Sequence, residues 1–336
     1  KHADDSTVVV VTGVRASQLK SVSIKRKAIA QVDAISSEDI GKLPDVTIAD
    51  SLQRVGGVQI RRDAGEGSSV NIRGLAQTIT LFNGEQYLSS GNIGQAQANF
   101  LDVPSQLLNS VVVYKSTDPA TPLAGLSGTI DLQTHRPFNF KPGLTLTGAV
   151  EGQRGNITKD NDWNANMLAS WRNDRVGVLA TVASSKSNLG DNYSGYGGGV
   201  FSENDWGQGI PQDYISPHGF EIYNRAIERK RLGANLSFEA KLGEGWTLIA
   251  EAFYTQLEEH DRKVGLNISN RWDGAVFGTW VTPTEHTDTG LTDGNGVPWW
   301  NVSQYDLDTQ WLNSFTVNRT NTSQSTNYNL ELNYDN

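Results

Sequence analysis

The side chains best equipped for chemistry in this chain are aromatic, and they crowd into two polar stretches, about 186–222 and 260–320. Six of the nine tryptophans lie there: Trp206, Trp272, Trp280, Trp299, Trp300 and Trp311. Tyr193, Tyr196, Tyr214 and Tyr305 join them. Lys+Arg and Asp+Glu leave the two stretches net negative, at −4 and −3. Flat ring faces beside amides and carboxylates suit a neutral sugar, which offers C–H faces and hydroxyl rims. A negative field disfavours anionic ferric chelates. The same aromatics also fit a girdle at the level of lipid headgroups, or simple loop packing.

Catalytic chemistry finds no comparable footing. The chain has no cysteine, which excludes disulfide frameworks, thiolate metal sites and cysteine nucleophiles. The five histidines stand apart, with no pair at metal-ligand spacing. Asp288, Asp293 and Asn295 sit in a Gly-rich stretch that could hold calcium. They depart from the EF-hand pattern, and a solvated loop accounts for them better. Gly195-Tyr196-Gly197-Gly198-Gly199 lacks the spacing of a phosphate loop or dinucleotide fingerprint, and no nucleophile elbow occurs. No enzyme, no metal and no cofactor are expected. There is no basic patch with interleaved aromatics, so no nucleic-acid partner is expected either.

The elements that carry these residues change character near residue 140. Residues 1–140 hold 13 Lys+Arg and 13 Asp+Glu, while 141–336 hold 15 and 24 and so account for all of the net −9. The first part mixes short strands and helices, as in one small α+β domain. Strands are expected at 28–35, 58–60, 70–74, 78–82, 111–115 and 126–134. Ser36 is expected to cap one short helix. Another runs from Thr47 to Val55, with Ile48, Leu52 and Val55 on one face and Gly56-Gly57 as its stop. Pro104 to Leu108 makes a helical turn. Ahead of this domain, Thr7-Val8-Val9-Val10-Val11-Thr12 is a β-branched run with strong strand preference, followed by a polar leash.

From Gly143 on, long segments alternate with period 2: 144–150, 164–171, 176–182, 232–241, 246–254 and 327–334. Segments of about ten residues, apolar on one face and polar on the other, fit the strands of a membrane barrel. Asn173-Asp174 and Gly243-Glu244-Gly245 read as tight turns, against the two long loops at 186–222 and 260–320. That asymmetry is porin-like. A soluble β-sandwich with two long insertions fits the alternation too. No apolar run approaches the roughly 20 residues of a membrane helix.

A family resemblance enters at Val9-Val10-Val11-Thr12-Gly13-Val14-Arg15-Ala16-Ser17. Further motifs follow in order: Asp33-Ala34-Ile35-Ser36-Ser37-Glu38-Asp39-Ile40-Gly41-Lys42-Leu43-Pro44-Asp45, Leu52-Gln53-Arg54-Val55, Gly57-Val58-Gln59-Ile60, Gly65-Glu66-Gly67, Ile72-Arg73-Gly74, Asn83-Gly84, Val113-Tyr114-Lys115-Ser116, Gly128-Thr129-Ile130-Asp131-Leu132 and Arg136-Pro137-Phe138. Over about 1–140 the chain resembles TonB-dependent outer-membrane receptors, in particular the Caulobacter- and Xanthomonas-type subgroup. Over the rest the likeness is one of pattern.

The resemblance implies an α+β plug domain followed by antiparallel transmembrane β-barrel strands. In the family the plug sits in the lumen of a 22-stranded barrel. It divides the chain into a TonB box and leash (1–20), a plug (21–140) and about six barrel strands (141–336), so the chain is expected to be part of a longer protein. It implies a cell-outer-membrane location, capture of Thr7, Val8, Val9, Val10, Val11 and Thr12 by TonB with its inner-membrane energising complex, and contact with outer-membrane lipids. Arg73, and Lys115 where the family often has arginine, are expected at the plug–barrel contact.

The ligand is a small molecule, expected at the plug apices Gly74–Thr78 and Leu88–Asn99 (Gln77, Ser89, Asn92, Gln95) and at the loop aromatics Tyr193, Tyr196, Trp206, Tyr214, Trp272, Trp280, Trp299, Trp300 and Trp311. The subgroup is associated with oligosaccharide uptake, and a surface lipoprotein is a conceivable accessory partner. A ferric siderophore or other metal chelate is the alternative cargo. A passive porin or a surface adhesin is the alternative class.

Overall fold

The computed structural model describes residues 21–26, 28, 30–36, 47–87, 89–90, 97–116, 126–156, 158–201, 213–269, 280–308 and 312–335, with backbone alone at 197–201, 213–214, 216–219, 268–269, 280–283 and 305–308. The TonB-box residues Thr7–Thr12, the candidates Asn92, Gln95, Trp206, Trp272 and Trp311, and residues 37–46 beyond Ser36 lie outside them. The chain divides into two compact units. One holds the residues up to Asn188 with Glu228–Glu259 and those from Asn321 on; the other is Leu189–Ile227 with His260–Thr320.

The first unit contains a small α+β domain. Its strands are β1 (Val32–Ser36), β2 (Val58–Asp63), β3 (Glu66–Ile72), β4 (Thr78–Phe82), β5 (Glu85–Gln86), β6 (Leu108–Tyr114) and β7 (Gly128–Thr134). They form a sheet in the order β1-β6-β7-β4-β5 and a separate hairpin β2-β3. The helix Ile48–Leu52 starts where the Thr47 side chain accepts the Asp50 N–H, and it buries Ile48 and Leu52. It is shorter than expected, because Gln53 to Val55 continue only as turns (Val55 N–H to Leu52 O, 3.0 Å). Ser36 ends β1, paired with Ser110. The core joins Ile48, Leu52, Val70, Ile72, Phe100, Leu107, Val111 and Ile130, with Phe253 from outside the domain. Two glycines are forced by geometry. A Cβ on Gly67 would lie 2.8 Å from Ala49 Cβ, and one on Gly128 (φ +146°) only 2.5 Å from the Tyr114 carbonyl oxygen.

The long strands are β8 (Gly143–Arg154), β9 (Asn161–Arg172), β10 (Val176–Phe201), β11 (Asp213–Gly243), β12 (Trp246–Ser269), β13 (Trp280–Thr292), β14 (Pro298–Asp308) and β15 (Asn313–Tyr334). The sheet runs β13-β14-β11-β10-β9-β8, and β12 pairs with β11 and β15. β8 with β9, β9 with β10 and β13 with β14 pair antiparallel, whereas β11 meets β14 in parallel, Asp213 opposite Trp299 through Ile215 opposite Asn301. Much of 186–222 and 260–320 is therefore strand rather than loop. Their Gly-, Asn- and Ser-rich sequences carry weak strand preference, yet neighbouring strands satisfy the backbone, which overrides propensity.

Within the first unit the two faces of these strands differ in an unusual sense. Leu144, Leu146 and Val150 of β8, Trp163, Met167 and Trp171 of β9, Val178 and Val182 of β10, Leu232, Leu236 and Phe238 of β11, and Tyr328, Leu330 and Leu332 of β15 are exposed. The opposite face buries polar side chains: Ser170, Thr181, Arg229, Arg231, Asn235, Ser237, Glu239 and Glu251. A water-soluble sandwich would bury the aliphatic face. An apolar band this continuous needs a non-aqueous neighbour. Trp171, Trp246 and Tyr334 sit toward its tight-turn end and Trp163 and Tyr328 toward the other, the girdle arrangement of membrane barrels.

Candidate functional site

The polar face of the long strands holds the α+β domain. Gly233 makes the close approach possible, since a Cβ there would lie 2.4 Å from Leu107 Cδ1. Phe82 and Phe253 meet with ring centroids 4.4 Å apart. Two ionic clusters fix the contact.

The first cluster gathers on the β2–β3 hairpin. Ala64 and Gly65 adopt positive φ (50° and 96°), which turns the chain so that Asp63 and Glu66 face β11. Arg229 has no exposed surface. It donates to Glu66 at 2.9 Å and to Glu259 at 2.8 Å, and it also reaches Asp63. Arg231 donates to Glu66 at 2.5 Å and to the Leu101 carbonyl at 2.8 Å. Burial alone would raise the Glu66 pKa, but Arg231 and Arg229 together hold it below its ordinary value. The carboxylate thus stays charged inside, as a buried charge can only when paired.

The second cluster sits where the domain leads into β8. Arg136 donates to Glu251 at 3.0 Å and to Glu331 at 2.6 Å. Glu251 also accepts from Asn83 (2.9 Å) and Thr134 (2.8 Å). The Phe138 N–H donates to Glu239 at 2.7 Å. A polar cavity of about 400 Å³ opens beside Arg136, lined also by Asn109, Asp131, Gln133 and Asn139. Burial pushes the Asp131 carboxyl up, against hydrogen bonds from Gln133 and the Gly84 N–H.

Arg73 and Lys115, expected at the contact with the barrel strands, take partners inside the α+β domain. Arg73 has positive φ (53°) and donates to Gln31 at 2.8 Å. Lys115 pairs with Asp33 and with the Gly56 carbonyl oxygen. Burial raises the Asp33 pKa, but Lys115 and Lys25 pull it below its ordinary value.

Among the candidate ligand residues, Gln77 is exposed. Ser89 is buried and donates to Asp102 at 2.5 Å; Asp102 also accepts from Ser323 of β15 at 3.4 Å. Trp299 and Trp300 are half-buried on β14. The Trp300 ring lies 3.9 Å from that of His286, and Tyr214 pairs with Trp300 in register. Trp280 opens β13 opposite Asp308. Tyr193 and Tyr196 lie on β10 and are both exposed, and the Tyr193 hydroxyl donates to the Tyr196 carbonyl at 2.6 Å.

The Asp293 carboxylate accepts N–H groups from Asn295 (2.8 Å) and Val297 (2.7 Å). Those backbone hydrogen bonds hold its pKa below the ordinary value, so the group folds its own turn. No cluster of three potential metal ligands occurs among the described residues.

Sequence reasoning missed Arg136, Arg229, Arg231, Glu66, Glu251 and Glu331. One signal was present: arginine at 225, 229 and 231 recurs with strand spacing on the polar side of an amphipathic segment, where a solvated face does not require it.

Residues 24–129 match the model of the TonB-dependent Receptor Plug Domain. Among solved structures, the chain is similar to the siderophore receptor PirA from Pseudomonas aeruginosa, with 16% identity over 76% of this chain and 49% of that one, TM-score 0.37. It is similar to PirA from Acinetobacter baumannii, with 13% identity over 93% and 46%, TM-score 0.42. It is also similar to the ferric enterobactin receptor PfeA from Pseudomonas aeruginosa, with 10% identity over 94% and 56%, TM-score 0.42. The chain spans about half the length of these structures. No helix among the described residues is long and apolar enough to cross a membrane, which says nothing of a β-barrel. Residues 24–129 thus match the plug domain of TonB-dependent receptors, and the long strands with an exposed apolar face follow them.

Proposed function

We propose that this chain is the N-terminal part of an active transporter that brings a scarce oligosaccharide across the outer membrane, in the manner of the Caulobacter- and Xanthomonas-type subgroup. The observation that carries the reading is the ion-paired plug lodged against the polar face of lipid-belted strands. A passive pore or an adhesin has no use for such a plug. A pore that is held shut must be opened by work, and the outer membrane has neither ATP nor an ion gradient of its own. The inner membrane supplies that work through TonB and its energising complex. TonB captures Thr7 to Thr12 by strand addition, and the main-chain hydrogen bonds so formed transmit force. Outer-membrane lipids contact the apolar belt, and a surface lipoprotein is a candidate accessory partner. The aromatic and net-negative outer stretches support a neutral saccharide over an anionic chelate.

The test is uptake of labelled oligosaccharides and ferric chelates by cells expressing the full receptor. Val9→Pro removes backbone pairing in the captured strand and is expected to abolish uptake while leaving binding intact. Dissipating the proton gradient is expected to do the same. Uptake that survives either treatment contradicts TonB-driven transport, and energised uptake of ferric chelates alone replaces the oligosaccharide.

A further inference from the structure

In the second unit, β10, β11, β12 and β15 bring together a side-chain cluster of which the sequence pointed only to Tyr193. Tyr193 stacks on Tyr223, with ring centroids 5.4 Å apart and planes 24° from parallel. The Lys263 ammonium lies 3.6 Å from the Tyr223 ring centroid and 4.9 Å from that of Phe315, and it donates to Glu221 at 2.9 Å. Gly265 lets Phe315 lie against the strand, because a Cβ there would come within 2.6 Å of the ring. One step along, Arg225 grips Asp261 through two nitrogens at 3.0 and 3.1 Å. Arg319 of β15 donates to the same carboxylate at 3.1 Å while its side chain is 54% exposed. Asp261 itself is buried.

We propose that this face is a saccharide-binding subsite, with Tyr193, backed by Tyr223, as the platform and Lys263, Glu221 and Arg319 as the hydroxyl-reading rim, Arg319 being held in place by the buried Asp261–Arg225 pair. The inference rests on the transport reading above and adds its recognition site. The chemistry is specific in three respects. The exposed Tyr193 ring, seated on Tyr223 with Lys263 against the Tyr223 ring, gives a flat apolar surface of the kind a pyranose covers with its C–H face. Each cation already has a carboxylate partner, and Asp191 accepts from Tyr223 at 3.4 Å. The local charge is therefore balanced, and an anion would have to displace a carboxylate to bind. The buried Asp261 holds the exposed Arg319 guanidinium at 3.1 Å, so hydroxyls meet a positioned donor with little further ordering. The position also explains why the arginines and acids are dense here: rings alone grip a sugar weakly and cannot orient it.

The experiment measures binding of the purified full-length receptor to an array of neutral and uronate oligosaccharides and to a ferric catecholate, without energisation. Neutral oligosaccharides are expected to bind. Tyr223→Ala should weaken them at least about fivefold and Arg319→Ala about tenfold or more, each with an unchanged thermal transition. Arg319→Lys should restore only part, because lysine lacks the fork. Binding of neutral saccharide that ignores both variants overturns the site but leaves the transport reading standing. Binding of uronates or the ferric catecholate alone, or of no member of the array, overturns the ligand class. Failure of energised uptake in cells, by contrast, strikes the transport reading itself.

Discussion

Arg229 and Arg231 both aim at one oxygen of Glu66, at 2.9 and 2.5 Å, so a single plug carboxylate holds two barrel-strand arginines. Arg229 is wholly buried and Arg231 nearly so, at 2% exposure. The contact therefore depends on Glu66 staying ionised.

Glu66→Ala leaves both guanidinium groups short of a partner in a buried setting, and the expected loss of stability is about 3–5 kcal/mol. Calorimetry of the purified receptor should show a lowered plug transition. Replacing Arg229 and Arg231 by methionine and Glu259 by glutamine in the same variant should recover most of it, since neutralising the buried partners together costs far less than halving the cluster. A transition unchanged by Glu66→Ala would show that the cluster contributes nothing to holding the plug.

The same carboxylate sets an acid limit. Its folded pKa lies below its ordinary 4.5. Its contribution is complete above that value and is lost as pH falls through the lowered folded pKa. In Glu66→Gln this acid-dependent part of the transition should disappear.

Asp131 has the opposite sign. Burial raises its folded pKa above its ordinary 3.8, so the folded plug prefers the protonated form. Stability from this group is present below 3.8 and declines as pH rises through the raised pKa. Asp131→Asn keeps the amide-sized group between Gly84 and Gln133 and should flatten that decline. If the wild type and the Asn variant lose stability in parallel as pH rises above 3.8, Asp131 is not the titrating group.

Gly128→Ala sets a Cβ 2.5 Å from the Tyr114 carbonyl oxygen and 2.9 Å from Ile72 Cδ1 at φ +146°. Backbone cannot yield as a side chain can. The expected cost is about 2 kcal/mol, read as a downward shift of the plug transition. Gly84→Ala, with open space around its Cβ but positive φ (89°), should cost less, about 1 kcal/mol.

Leu236→Arg tests the apolar belt. Leu236 is 58% exposed, between the buried Asn235 and Ser237. An arginine facing hydrocarbon near the bilayer midplane costs about 2–4 kcal/mol. Denaturant titration of the full receptor in lipid vesicles should register that loss, and Lys230→Arg, on the same strand at an exposed ion pair with Glu258, should register almost none. Equal effects would mean that the Leu236 face meets water.

Local chemistry made much of this legible from the chain alone. Period-2 alternation in 144–150, 164–171 and 232–241 states which side chains share a face, because strand geometry alternates them whatever they pack against. The stripe of Ile48, Leu52 and Val55 marked a helix from Thr47, while the Thr47 cap and the end at Leu52 came from the structure. Alternation does not say which face meets lipid and which meets protein. That was decided only when Arg229, Arg231 and Glu251 proved to be the buried side and Leu146, Val150 and Leu236 the exposed one.

The pairings themselves belong to the tertiary structure. Glu66 and Arg229 are 163 residues apart and Arg136 and Glu331 195 apart, and no local rule joins them. Arg73 and Lys115 resembled the contact by motif, yet they are engaged by Gln31 and Asp33 within the α+β domain, 42 and 82 residues away. Polar outer sequences read as loops became strands, because a neighbouring strand can satisfy a backbone whose own residues scarcely favour extension. Residue type and spacing thus settle what each segment is able to do. Which of two charges finds the other, across a barrel wall and a plug folded independently in sequence, is settled by the path of the chain through space.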